Sequence, residues 1–230
     1  MISKILDVNI NRLEKIFTDC TDYVKRKFAI GRGRPVWMYV AYIDAMTDRM
    51  SIELTVIAPL MRFGAERTLR PDYDNTYELF RDFGIDTADF NEVDDWNLLM
   101  YFLLAGESVF FIDGFDKAIV VASRAFPNRG IQSVDTEVVV HGSREAFNEV
   151  VRFNTALVRR RIRDPNLKCK QSRIGRRSET DIALMYLADL VRPAILQEVE
   201  RRLQRINVDA ILDSGYIEQY IEDNWRSPFP

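Results

Sequence analysis

Apolar positions recur along this chain at two spacings, and the switches between them mark its elements. From Ile10 to Phe28 the residues Ile10, Leu13, Ile16, Phe17, Cys20, Val24 and Phe28 fall at helical spacing, which predicts a helix with Asn9 as its N-cap. GRGRP (Gly31 to Pro35) ends it, and VWMYVAYI (Val36 to Ile43) reads as a buried strand, short, apolar and rich in β-branched and aromatic residues. Helical spacing returns from Asp48 to Leu60, with Pro59 near the end, and a short helix is predicted around Thr76 to Phe83 after a polar loop containing Pro71. DDWNLLMYFLLAG opens on two acids and closes on Gly106, which is helix polarity at both ends. VFFIDGFDKAIVVAS is a hairpin, its two apolar runs joined at Asp113-Gly114, a pair that tolerates positive φ.

FPNRG (Phe126 to Gly130) puts Pro, Asn and Gly together after a completed hairpin and is the predicted hinge. Beyond it the pattern predicts a strand (Glu137 to His141), a long helix (Ser143 to about Arg163) and two strands (about Leu167 to Ile174, and Thr180 to Leu187). Two helices then follow, Pro193 to Ile206 and about Tyr216 to Glu222, with Pro193 suited to a first turn where its missing N–H is no loss. The fold class is therefore α/β, as two small α/β subdomains joined by a hinge, residues 1–128 and 129–230. No fixed-period repeat or low-complexity segment is present.

Charge changes this picture in one place. The chain of 230 residues has a formal net charge of −3, but Arg144 to Arg177 holds eleven basic residues against three acids, which is +8 and leaves −11 for the rest. Charge this segregated meets a polyanion, the protein's own acidic part or a partner. On a helical wheel Arg152, Arg159 and Arg163 share a polar face, while Phe147, Val150, Val151, Leu157, Val158 and Ile162 take the opposite arc. Arg161 and Asn154 fall inside that apolar arc. Arg161 is therefore expected to be a buried structural arginine, because an unpartnered buried guanidinium costs several kcal/mol. The basic run has no interleaved aromatics for base stacking and no helix-turn-helix, RNP-like or zinc-finger pattern, so no nucleic-acid partner is expected.

Catalytic signatures are missing as well. GRGR lacks the third glycine of a dinucleotide fingerprint, no Walker A lysine occurs, and the sole histidine, His141, has no G-x-S-x-G serine to work with. Asp113 and Asp116 are better explained by turn chemistry than as an acid/base pair, and Asp44 is expected to cap the following helix. Cys20 and Cys169 lie far apart without metal-ligand spacing and read as structural thiols of a reducing compartment. No enzyme, cofactor or metal is expected. No 18-residue apolar window and no secretory leader pattern occur in the sequence.

Six motifs in order, YIDAMTD, GESVFFIDGFDKA, TEVVVHGSREAF, NTALVRRRI, IGRRSETDIALMY and SGYIEQYIED with SPFP, make the chain resemble the soluble N-terminal domain of A subunits of bacterial spore germinant receptors, the GerA family. The chain departs from the family pattern at Ala45 and Met46 after YID, at His141 and Ser143, and before Thr136. The resemblance implies a fold similar to two-lobed substrate-binding proteins and a chain that continues past Pro230 into a membrane domain. It implies residence in the inner spore membrane with this domain on the cytoplasmic side, B and C subunits and other A copies as partners, and coupling of nutrient sensing to ion release. Within it, the face Arg152, Arg159, Arg163, Lys168 and Lys170 is expected at a contact with another subunit or with the acidic lobe. The alternative is a small nutrient ligand bound between the lobes, with Arg144 meeting an anionic group and Asp113 nearby.

Overall fold

The computed structural model describes residues 1–31, 35–66, 78, 90–125 and 146–223. The predicted hinge at 126–130, the strand at 137–141, Arg144, and the helix at 76–83 apart from residue 78 lie outside the described residues. The fold is mixed α/β and forms two compact units, one drawn from Met1–Thr18 and Asp22–Pro165, the other from Asp19–Thr21 and Asn166–Pro230. The chain passes between the units at 165/166 and at both ends of Asp19–Thr21, and the expected boundary near 128 lies outside the described residues.

The first unit carries a five-stranded antiparallel sheet of order β1-β2-β4-β5-β3. Its strands are β1 (Tyr23–Ile30), β2 (Val36–Ile43), β3 (Phe90–Val93), β4 (Ser108–Ile112) and β5 (Ala118–Val121). β2 is the unbroken apolar run of the sequence because both of its faces are covered. Met38, Val40 and Tyr42 join Phe28, Ile30, Phe110, Ile112, Ile119 and Val121 in one core with Ile52, Val56, Ile57 and Leu60. The opposite face, with Tyr39, Ala41, Ile43, Val109 and Phe111, packs against α1 (Leu6–Ile16) and α4 (Trp96–Leu104), whose Leu6, Leu13, Leu99 and Leu103 are buried. α4 starts as expected, with the Asp95 carboxylate accepting the Leu98 N–H. The β4–β5 turn uses Gly114 at φ 92°, and its N–H reaches the Lys4 carbonyl at 2.8 Å.

Three elements differ from expectation. The single helix over Ile10–Phe28 is instead α1 followed by β1, since Cys20, Val24 and Phe28 are all an even number of residues apart and fit a strand as well as a helix. Pairing of Tyr23 through Ile30 with Ile43 through Val36 settles the competition, and Asp19 breaks the helix with φ 62°. Asn9 is not an N-cap; Ile5 holds that position and Asn9 lies buried within α1. The helix from Asp48 does not stop near Pro59. It runs as α2 (Arg49–Ile52), a π-helical turn (Glu53–Ile57) and α3 (Ala58–Glu66). Pro59 has no N–H and would crowd the Thr55 carbonyl in a regular turn, and the wider turn before it relieves that conflict.

The last helix of the first unit, α5, spans Val151–Arg161 rather than starting at Ser143. The second unit is the antiparallel hairpin β6 (Leu167–Ile174) and β7 (Thr180–Leu187), then α6 (Pro193–Arg205) and α7 (Ser214–Ile221), all four close to their predicted limits. Arg202 ties the two helices together by donating to Glu198, to Asp223 at 2.5 Å and to the Ile221 carbonyl that ends α7. Its neighbour Arg201 also donates to Glu198, and these two guanidinium donors hold that carboxyl down at about 2.

Candidate functional site

The basic segment is where sequence and structure disagree most usefully. Of the predicted polar face Arg152, Arg159 and Arg163, only Arg159 is buried, while Arg152 and Arg163 are exposed. Thr155, Ala156 and Arg159 are the buried residues of α5, and Arg159 is only 1% exposed. Small side chains at 155 and 156 let the helix approach closely, and the guanidinium then meets Asp22 in a two-pronged pair, Nε at 2.6 Å from Oδ2 and Nη2 at 2.9 Å from Oδ1. Arg161 is exposed, so the expected buried arginine of this helix is Arg159 instead. The reason is the partner: a carboxylate waits on the side of Arg159, and sequence periodicity carries no trace of where a partner lies.

Asn154, expected within the apolar arc, is half-buried. Its amide closes on the backbone of Asn148, accepting that residue's N–H at 2.8 Å and donating to its carbonyl at 2.7 Å. This clasp, with the Asn148 side chain accepting the Val150 N–H, fixes the approach to α5 and starts it at Val151. α1 repeats the device: Asn9 accepts from Ser3 N at 2.9 Å and donates to the Ser3 carbonyl at 2.7 Å. Both asparagines are the fourth residue of their helix and reach back six residues.

The other predicted basic residues meet the protein's own acids. Arg152 pairs with Asp44 at 2.6 Å, so Asp44 serves as an ion-pair partner while Asp48 caps α2 through the Ser51 N–H. Lys170 donates to Glu200 at 2.7 Å and lies 3.4 Å from Asp19. Arg173 pairs with Asp181, and Arg176 and Arg177 with Asp209. Lys168 is half-buried on β6 and Arg163 is exposed just past α5. Asp113 opens the turn after β4, where its carboxylate accepts the Leu6 N–H at 3.1 Å as α1 begins. Arg144, its expected companion at a ligand, is outside the described residues.

Sequence reasoning missed the segment Asp19–Asp22, where the chain enters and leaves the second unit. Cys169 N–H donates to the Asp19 carbonyl, and Thr21 donates both its N–H and its hydroxyl to the Cys169 carbonyl, each at 2.9 Å. The Thr21 hydroxyl also accepts the Gln171 N–H, and the Asp19 carboxylate accepts from the Tyr186 hydroxyl at 3.3 Å. Asp22, the next residue, belongs to the first unit and holds Arg159. The sequence reading places DCTD inside the helix predicted over Ile10–Phe28, and only its concentration of acids and hydroxyls could have drawn attention to it.

Around this helix the predicted apolar arc is half-buried at Val151, Leu157 and Val158, and exposed at Phe147 and Val150 before the helix and at Ile162 after it. Phe147, Leu157, Val158, Arg161 and Ile162 line an open hollow of about 400 Å³. Phe147 is 65% exposed, and Val150 and Ile162 are exposed beside it. Apolar residues in one contiguous surface patch with a cationic rim are the usual makings of a contact surface. Among the described residues no cluster of His, Cys, Asp and Glu could hold a metal ion, and no helix is long and apolar enough to cross a membrane.

Comparison with known proteins agrees on one kinship. The family model for the Bacillus/Clostridium GerA spore germination protein matches residues 11–230. Spore germination protein KA of Bacillus subtilis strain 168 is 32% identical over the whole of this chain, which covers 41% of that relative. An uncharacterized membrane protein of the same organism, YfkQ, is 31% identical over the whole chain, which covers 43% of it. The chain thus spans well under half the length of these curated relatives. The crystal structure of the N-terminal domain of the A subunit of the Bacillus megaterium spore germinant receptor GerK3 superposes with a TM-score of 0.69 at 25% identity, covering all of this chain and 82% of the other.

Proposed function

The chain belongs to the GerA family of spore germination proteins, and from that premise we propose that it is an assembly and coupling domain of a germinant receptor A subunit. In this reading it lies on the cytoplasmic side of the inner spore membrane. It contacts B and C subunits and other A copies, and relays the nutrient-induced change that leads to ion release. The observation that supports the reading is the apolar patch around α5, exposed at Phe147, Val150 and Ile162 and half-buried at Leu157 and Val158, with Arg161 and Arg163 at its edge. Burying such a patch against a partner gains about 25 cal/mol per Å² of apolar surface, and a flanking guanidinium selects an acidic rim on that partner.

The double substitution Phe147→Asp and Ile162→Glu tests it in the full-length subunit. Recovery of partner subunits on co-purification from spores is expected to fall at least tenfold, while the 230-residue chain keeps its circular dichroism and its urea midpoint. Unchanged recovery would remove the arc from the assembly surface. Arg159, expected from sequence on the assembly surface, is unsuitable for such a test because it is buried against Asp22, and its removal would lower stability as well as change the surface.

A second reading, a small germinant bound by the domain itself, is favoured by the hollow of about 400 Å³ with Arg161 on its wall. Its size suits a small molecule with one anionic group. Titration of the isolated chain with amino acids and sugars separates the two readings. Saturable amide shifts at Leu157 and Val158 support a ligand site, and a spectrum unmoved by any nutrient supports assembly.

A further inference from the structure

The sequence contains two cysteines, and the fold of the second unit sets them opposite each other. Cys20 and Cys169 face across an isolated parallel bridge, made by Cys169 N–H donating to the Asp19 carbonyl at 3.2 Å and Thr21 N–H donating to the Cys169 carbonyl at 2.9 Å. Bridged residues of adjacent strands project to the same side, and neighbouring strands lie about 4.8 Å apart. That spacing is inside the roughly 4.4–6.8 Å window of Cα separations that a disulfide spans. Both residues are buried, and the Cys20 thiol donates to the Leu167 carbonyl at 3.7 Å, so its sulfur already lies against β6 within two residues of Cys169. No disulfide joins them in this structure.

We propose that Cys20 and Cys169 form an oxidisable pair whose disulfide fastens the Asp19–Thr21 segment covalently to β6. The surrounding bonds favour this: the Thr21 hydroxyl, the Asp19 carbonyl and the Lys170–Asp19 ion pair hold the two backbones in register before any sulfur reacts. The oxidant is a low-molecular-weight disulfide. One cysteine thiolate attacks it, forming a mixed disulfide and expelling one thiolate; the second cysteine attacks the protein sulfur of that mixed disulfide and expels the other. The protein loses two electrons and two protons, and the small disulfide is reduced to two thiols. The bond closes a loop through nearly all of the first unit, so it constrains the unfolded chain strongly.

The test equilibrates the 230-residue chain in oxidised and reduced glutathione, once from the folded state and once during refolding from urea. Titratable thiols are expected to fall from two to zero per chain. A non-reducing peptide map should show the Cys20 peptide joined to the Cys169 peptide, and the urea midpoint should rise relative to the reduced chain. Cys20→Ser should abolish the joined peptide and leave Cys169 reduced or glutathionylated. The proposal is overturned if both thiols persist in both arms, if glutathione remains on either sulfur of the unsubstituted chain, or if the bonds formed join two chains.

Discussion

Arg159 and Asp22 place a formal charge pair where the side chains are 1% and 2% exposed, and both carboxylate oxygens are engaged. Such a pair contributes little over a well-packed apolar pair, but removing one partner strands the other charge at a cost of about 3–5 kcal/mol. Asp22→Ala is therefore expected to lower stability by about that amount in urea denaturation, and the double change Asp22→Leu with Arg159→Met to recover most of it. A second buried contact responds to pH. Tyr23 and Tyr39 share a hydroxyl hydrogen bond of 2.9 Å, and burial raises both phenols, Tyr39 to about 12. A folded-state value above the unfolded value of about 10 means the native chain keeps protons the unfolded chain has lost. Stability from this pair is complete below pH 10 and falls as pH rises from there towards 12, by up to about 1.4 kcal/mol per pH unit for each group. Urea midpoints measured from pH 8 to 11.5 should show the decline, and Tyr39→Phe should lessen it while leaving the part that burial of Tyr23 supplies.

Among the elements, β2, α4, the β4–β5 hairpin and the run from β6 to α7 were legible in the sequence, because in each the period, the cap and the turn residue agree. The stretch Ile10–Phe28 was not, since its spacing satisfies both periods and the decision belongs to the partner strand β2. The limits of α5 were hidden for a related reason. Apolar spacing continues before Val151, but Asn154 has already claimed the backbone of Asn148. Two hydrogen bonds of roughly 1 kcal/mol each define that start. Asn154→Ala should cost about 1–3 kcal/mol in urea denaturation and fray the first turn of α5. In hydrogen exchange the amide of Asn148 should lose its protection while those of β6 keep theirs. A uniform loss of protection across both units would mean that Asn154 acts on the whole fold.

At the scale of the molecule, the +8 segment that dominates the sequence is largely answered from within. Asp44, Asp22, Asp19, Glu200, Asp181 and Asp209 each meet one of its cations. Charge segregation along the chain therefore encoded the pairing of distant segments, which a count of charges cannot distinguish from a docking face. The candidate surface emerged from the opposite inference. Once Arg159 turned inward to Asp22, Phe147, Val150 and Ile162 were left exposed, where the wheel had expected the core. The family kinship, by contrast, was legible from ordered motifs, because strings such as GESVFFIDGFDKA and IGRRSETDIALMY persist as text even where their contacts cannot be read.

The second unit begins with three residues, Asp19–Thr21, separated from its remainder by the whole of β1 through α5. On a ribosome those three residues emerge long before β6 exists to receive them. The first unit can condense around its own sheet while this short arm waits, and the second unit is complete only after the chain returns at Asn166. Its maturation is thus gated by synthesis order, and a fragment cut at the apparent boundary would lack the strip of backbone against which β6 is laid.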